Sequence, residues 1–366
     1  MNSQASFERF HTIVIGGGQS GLVAGYHLKK RNLPFVILDA NDHVGDAWRN
    51  RWDSLRLFTP ARYINLPGMG YPGRGDSFPT KEQIANYLEI YAKRFDLPVR
   101  NGMRVTRLHK KADAFMVHAG GQCFEAENVV VAMSNYQVPH VPEFSRDLRP
   151  DILQVHSHEY RNPSQLQPGR VLVVGAGNSG ADIAMEVARH NTTLLSGSES
   201  GHIPWPIESF FARNVLFRAI RFIGHHLLTV STPIGRKVRP KMLAQAAPLV
   251  RVKPKDIAAA GIERVPRVVG VRGGKPLLEN GRILDVQNVV WCTGFHPGFS
   301  WIDLPVFDET GKPRHHRGVA EQVLGLYFLG LHFLYAMSSA TLIGIDRDAA
   351  YIADVIKSRP RFTRAA

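Results

Sequence analysis

Short apolar runs recur along the chain in two matching series. Thr12-Ile-Val-Ile15 and Val171-Leu-Val-Val174 are apolar without alternation, as strands covered on both faces of a parallel sheet are. Each is followed by glycines and then by a mixed apolar and polar stretch that closes on basic residues, His27 to Lys30 and Met185 to Arg189. Both series therefore predict strand, tight turn and helix. A second apolar run follows in each, Phe35-Val-Ile-Leu38 and Thr192-Thr-Leu-Leu195. Period-two runs come next: Val105–Leu108 and Ala114–Val117, then Arg267–Val271 and Arg282–Leu284, broken at Gly120-Gly121 and Gly273-Gly274. Asn128–Ala132 and Asn288–Cys292 close the two series as buried strands. The expectation is two parallel sheets, each with a small antiparallel meander inserted. Gly325–Gly330 reads as one more buried strand, with a helix from about Ser339 to Lys357.

The glycines between strand and helix carry chemistry. They read Gly16-Gly-Gly18-Gln19-Ser20-Gly21 and Gly175-Ala-Gly177-Asn178-Ser179-Gly180, the dinucleotide fingerprint, twice in its strand–turn–helix context. The first glycine allows the turn, the second lets the backbone approach a pyrophosphate, and the third lets helix pack on strand. The helix N-terminus then faces the phosphate charge. Two bound dinucleotides imply electron transfer between them. Asp39 ends the second strand of the first series, where a carboxylate binds an adenosine ribose, which suits FAD. The matching place in the second series is Ser196-Gly-Ser198, without a carboxylate to repel a 2′-phosphate. NADPH is expected there, with NADH an open alternative, since no arginine stands beside Ser196 in the sequence.

The predicted fold class is α/β, with two Rossmann-like dinucleotide-binding domains. Residues 1–164 and 291–366 form a discontinuous FAD domain. Residues 165–290 form an inserted NAD(P)H domain with a basic helical insertion at about 207–255.

Composition narrows the class. The chain has 366 residues, 44% of them hydrophobic, and two cysteines, Cys123 and Cys292, with no Cys-x-x-Cys. A redox-active dithiol is not expected, and Cys292, inside an apolar strand, reads as inert. No signal peptide is visible and the apolar run Val323–Met337 is too short to span a bilayer, so a cytoplasmic protein is expected. The net charge of +14 is concentrated. From Ser209 to Lys255 there is no acidic residue, while Arg213, Arg218, Arg221, Arg236, Lys237, Arg239, Lys241, Arg251, Lys253 and Lys255 are present. Ser209–Leu228 reads as a helix with a polar strip (Asn214, Arg218, Arg221, His225) and a wide apolar face. Burial against the first domain, with the strip in solvent, or a roof over a substrate pocket ranks first. Peripheral membrane contact through 209–228 ranks second. No nucleic-acid partner is expected, because charge alone without a recognition fold warrants little. The oligomeric state is not readable from the sequence.

These segments together resemble the class B flavin-dependent monooxygenases, a group that includes N- and S-oxygenases, plant auxin-forming enzymes and bacterial flavoproteins associated with cation transport. The resemblance spans almost the whole chain. It rests on both fingerprints, on Gly45-Asp46-Ala-Trp48-Arg49, Trp52-Asp-Ser-Leu-Arg-Leu-Phe-Thr59-Pro60 and His156-Ser-His-Glu-Tyr160, and on Thr293-Gly294 and Ser339-Ala-Thr-Leu-Ile-Gly344. It implies that NADPH reduces FAD and that a C4a-hydroperoxyflavin passes one oxygen atom of O2 to a small apolar or heteroatom-containing substrate. It also implies flavin contacts from Asp46, Trp48 and Arg49, with Thr293 and Gly294 bordering the cofactors. Thr59 and Ser339 become the candidate catalytic residues beside the isoalloxazine, the latter opening a helix whose amides point at the flavin edge. Departures are visible: Pro150 and Ile152 replace an aromatic and a glycine, Tyr160 argues against the Baeyer–Villiger subgroup, and Ala132-Met133-Ser134 stands where Ala-Thr-Gly is common. Phe58-Thr59 stands where many members place an asparagine near the flavin. His156 fits a structural or a functional role equally. Two other readings stay open: an NAD(P)H-dependent reductase serving a quinone or protein acceptor, and a non-catalytic redox-sensing accessory protein.

Overall fold

A computed structural model describes residues 7–198, 201–244 and 247–359. The strand Glu8–Ile15 is the centre of the first sheet, flanked in parallel by Phe35–Leu38 on one side and Gln122–Val131 on the other. Val99–Arg100 extends the sheet beyond the former, Leu326–Phe328 beyond the latter, all in parallel. Gln122–Val131 serves two purposes. Its first half, Gln122–Ala126, pairs antiparallel with Ala114–Ala119, which pairs with Val105–Lys111, and on its other edge Phe124–Val131 pairs in parallel with Glu8–Ile15. The expected meander is therefore continuous with the closing strand.

The polypeptide returns to this sheet at its C-terminal end. Leu326–Phe328 is wholly buried, and the helix Ile345–Ser358 packs on the first fingerprint helix Gln19–Lys30. Arg31 pairs with Asp354 at 2.7 Å and His27 meets Asp346 at 2.6 Å across that contact. On the other flank the helix Lys81–Arg94 begins with a capping box of Thr80 and Gln83, which satisfies two otherwise unpaired amides.

The second sheet has five strands, all parallel: Glu263–Val265, Thr193–Ser196, Val171–Val174, Asn288–Trp291 and Leu153–His156, in that spatial order. It thus takes in a strand upstream of residue 165. Two crossings join the sheets, and they pair with each other: Val138–Pro139 runs antiparallel to Phe295–His296. Trp52 and Leu55, from the first half of the chain, pack into the second core beside Tyr160 and Ala176.

Three expectations are corrected. The second meander is not inserted in the parallel sheet: Val268–Arg272 and Lys275–Leu278 form a separate two-stranded sheet, and Ile283 joins only by a bridge to Leu277. The C-terminal helix starts at Ile345, not Ser339. Ser339 accepts hydrogen bonds from the amides of Tyr335 and Ala336, and Thr341 donates to the Ser338 carbonyl, so hydroxyls satisfy the backbone in turns instead. Lastly, the segment 209–228 is helical, with wide turns at Ala212–Leu216 and Ile223–Leu227 around Phe217–Phe222, but its apolar face is not buried. Phe210, Phe211, Val215, Phe222, Ile223 and Leu227 are all exposed.

Candidate dinucleotide sites

The two fingerprints have the same geometry. Gly16 and Gly175 lie in the left-handed region, at φ +106° and +111°, each with its turn pressed on the carbonyl at the end of a neighbouring strand, Ala132 and Cys292. A side chain at Gly21 would run into the Gly16 carbonyl, and one at Gly180 into that of Gly175, so helix and strand can close only over glycine. Gly18 and Gly177 differ: a Cβ there would meet nothing within 4 Å. Each cap residue is extended, and its helix begins with free amides directed outward. Both turns are thus open where a pyrophosphate would come to rest, and closed everywhere else. The residues present fit two dinucleotides.

Around the first cradle, Asp39 is 6% exposed; it accepts from the amide of Gly17 and, at 2.8 Å each, from the amide and side chain of Asn41. A carboxylate fixed at the strand end beside the turn is where a ribose acceptor belongs. Ser20 is buried beside Gly330, and the Gln19 side chain reaches the Ala340 carbonyl at 3.5 Å. The returning C-terminal segment therefore adjoins the first cradle. Asp46 and Arg49 are engaged elsewhere: Arg49 donates to Val44, Asp46, Asn86 and Glu89 at 2.8 to 3.1 Å, tying its short helix to Lys81–Arg94. Asp46 also caps His43 at 2.9 Å. Trp48 packs on the first core.

At the second cradle, the Asn178 side chain holds Pro248 and Val250 at 3.0 and 2.9 Å, while Ser179 is partly exposed. Ser196 is fully buried; its hydroxyl donates to the Pro266 carbonyl and accepts from the Val268 amide. A positive charge comes from the next strand instead. Arg264, paired in register with Leu195, donates to the Gly197 carbonyl at 3.0 Å. Sequence proximity to Ser196 could not reveal it; the parallel register of two strands does.

Between the cradles, Thr293 donates to the His140 carbonyl and Gly294 sits at φ +86°, both within the paired crossings. His156 is pinned there: one ring nitrogen faces the Gly294 carbonyl at 3.1 Å and the other accepts from the His158 amide at 3.1 Å. Burial above all holds it below the ordinary histidine range, so it is neutral, and both nitrogens are occupied. Its role is structural. Tyr160 is likewise a core residue, donating to Glu186 at 3.0 Å. Thr59 is partly exposed beside Phe58, and the Leu57 carbonyl next to it accepts from Arg251 of the second half at 3.1 Å. Ser339 is fully buried, its hydroxyl taken by the backbone. Cys292 is pushed up to about 12 by burial, which makes it inert.

Two cradles at the carboxyl ends of two parallel sheets define a dinucleotide-dependent oxidoreductase. Residues 13–200 match the pyridine nucleotide-disulphide oxidoreductase family. An uncharacterized oxidoreductase of Geobacillus kaustophilus, CzcO-like, is 40% identical over 93% of this chain and 96% of its own. The probable indole-3-pyruvate monooxygenase YUCCA3 of Arabidopsis thaliana is 28% identical over 95% of this chain and 86% of its own. Among solved structures, a flavin-containing monooxygenase from Stenotrophomonas maltophilia superposes with a TM-score of 0.75 at 28% identity, covering 96% of this chain and 99% of that one. The chain belongs to the pyridine nucleotide-disulphide oxidoreductase family and, within it, to the class B flavin-dependent monooxygenases with their CzcO-like relatives. It is an oxidoreductase, and its cofactors are FAD and NADPH.

Proposed function

We propose that the protein is a monooxygenase that uses NADPH, bound FAD and O2 to place one oxygen atom on a small apolar or heteroatom-containing molecule. The observation that carries this is the pair of matched cradles, each open only at its second glycine. In this reading residues 1–164 and 291–366 hold FAD, and residues 165–290 hold NADPH with Leu153–His156 completing their sheet. Gly18, Gln19 and Ser20 bind the flavin pyrophosphate and Asp39 its ribose; Gly177 and Ser179 bind that of NADPH, with Arg264 beside the 2′-phosphate. Bound flavin supplies the hydride acceptor and the oxygen chemistry. The chain positions it and excludes water. Ser339 shapes the turn that covers the first cradle, leaving Thr59 as the hydroxyl able to reach a ligand.

Because a Cβ at position 18 or 177 meets no protein atom within 4 Å, valine there is expected to test binding with little disturbance of the fold. Gly18→Val is expected to purify folded but colourless. Gly177→Val is expected to keep its flavin, which NADPH should then fail to bleach in the absence of oxygen. Full flavin content in the first variant, or unchanged bleaching in the second, would contradict the assignments.

The reading also places residues 209–228 at a membrane surface. The outward apolar residues and the absence of any acid between Ser209 and Lys255 support it. Among the described residues no helix is long and apolar enough to cross a membrane.

A further inference from the structure

The exposed side of the helix at 210–227 carries cations and aromatic rings together. Arg218 and Arg221 are exposed, and so are Phe211, Val215 and Phe222 on the same turns. A basic strip flanked by rings in water is the arrangement of a helix that lies in a lipid interface. There the rings enter the acyl boundary and the cations stay at the phosphates. The strip is not flat, because two adjoining hollows share Arg218 and Arg221. One, of about 430 Å³, is completed by Phe222, His225, His226 and Ile343. The other, of about 300 Å³, is completed by Arg62, Tyr63 and Asn214.

No carboxylate lines either hollow. Acids of the surrounding segments are engaged: Asp76 with Arg74 and Arg213 at 3.2 and 3.6 Å, and Asp346 with His27 at 2.6 Å. Among the described residues Arg218 and Arg221 form no ion pair; Arg221 only approaches the Tyr63 ring, at 5.8 Å. Arg62 is positioned at the smaller hollow by donating to Asn214 at 2.7 Å and to the Gly75 carbonyl at 3.1 Å. Three guanidiniums around one hollow match the several oxygens of a phosphate. The rings beside them have no use for a free phosphate. An occupant that satisfies both features carries a phosphate and an apolar tail in one molecule.

We propose that the joined hollows are a headgroup site for one anionic phospholipid of a membrane surface. Arg62, Arg218 and Arg221 hold its phosphate, and Phe211 and Phe222 stand against its acyl chains. A zwitterionic head is disfavoured, because its ammonium would meet the same three guanidiniums. The inference rests on the membrane-surface reading of 209–228 and adds to it a discrete, saturable lipid site.

The test titrates the oxidised, flavin-loaded protein calorimetrically with dihexanoyl phosphatidylglycerol, kept below its micelle-forming concentration. One saturable site is expected, about tenfold or more tighter than for dihexanoyl phosphatidylcholine or for glycerol 3-phosphate. The first difference comes from charge-assisted hydrogen bonds, the second from burial of the chains. Arg218→Gln/Arg221→Gln should lose the site, with flavin content and melting temperature as in the parent, since both side chains are exposed. Equal binding of the two lipids, glycerol 3-phosphate bound as tightly as the lipid, no binding of any of the three, or a site that survives the glutamine variant would overturn the proposal. Failure of the membrane-surface reading shows separately. Vesicles that recover the protein without a site for monomeric lipid keep that reading and remove the headgroup site. A saturable site on a protein that phosphatidylglycerol vesicles do not recover keeps the headgroup site and removes that reading.

Discussion

At Gly18 and Gly177 the chain leaves room for something that is not protein, and at Gly21 and Gly180 it leaves none. Glycine alone does not distinguish these purposes; the contacts around each position do. His156 shows the converse. Its residue type invited a chemical role, yet the Gly294 carbonyl and the His158 amide use both ring nitrogens. Asp182, on the second fingerprint helix, carries a consequence for stability. Burial raises it to about 6, with Glu186 adding to the effect and Arg251 opposing it. Its folded value lies above the ordinary carboxylate value, so its protonated form favours the fold at low pH, and that advantage is lost as pH rises through about 6. Asp182→Asn should therefore melt several degrees above the parent at about pH 8 and within a degree or two of it at about pH 4. Thermal unfolding at the two pH values checks this; a gap of equal size at both would refute it.

Among the elements, the strand–turn–helix units were legible because their apolar runs, glycines and helix ends agree. Three features were not. The start at Ile345 was hidden because Ser339–Gly344 has helical periodicity, while its hydroxyls serve turns. Leu153–His156 was not assigned to the second sheet because its partner, Asn288–Trp291, lies far along the chain. The helix at 210–227 was read with the correct extent and faces, but amphipathicity does not state whether the apolar face is covered. A second helix, Pro233–Ala244, adds exposed Ile234, Met242 and Leu243 to the same region, with Arg236, Lys237 and Lys241 also exposed. An isologous dimer through this patch would set like charges against each other, whereas an anionic lipid surface complements them. Sedimentation with phosphatidylglycerol vesicles should recover the protein, and phosphatidylcholine vesicles should recover far less. Phe210→Ser/Phe222→Ser with Lys237→Glu/Lys241→Glu should weaken partitioning by about a hundredfold or more, at roughly 1 kcal/mol for each basic residue near the surface plus the lost aromatic insertion. Equal recovery with both lipids, or none with either, would remove the membrane from the account.

Across the whole molecule, two sheets are joined by paired crossings and by side chains that pass from one half to the other. Trp52 enters the second core, and Arg251 holds the Leu57 carbonyl next to Thr59. Such an arrangement fixes the two cradles relative to each other, which hydride transfer between their occupants requires. Dry surroundings for the reduced flavin then decide between oxygenation and simple loss of peroxide. The central claim is tested most directly by reducing the flavin-loaded protein with NADPH under anaerobic conditions, mixing it rapidly with oxygenated buffer, and following the visible spectrum together with peroxide release. The account predicts a spectrum that belongs to neither reduced nor oxidised flavin and that outlasts mixing before peroxide appears. Direct return to the oxidised spectrum, with one peroxide released for each flavin at the same rate, would contradict it.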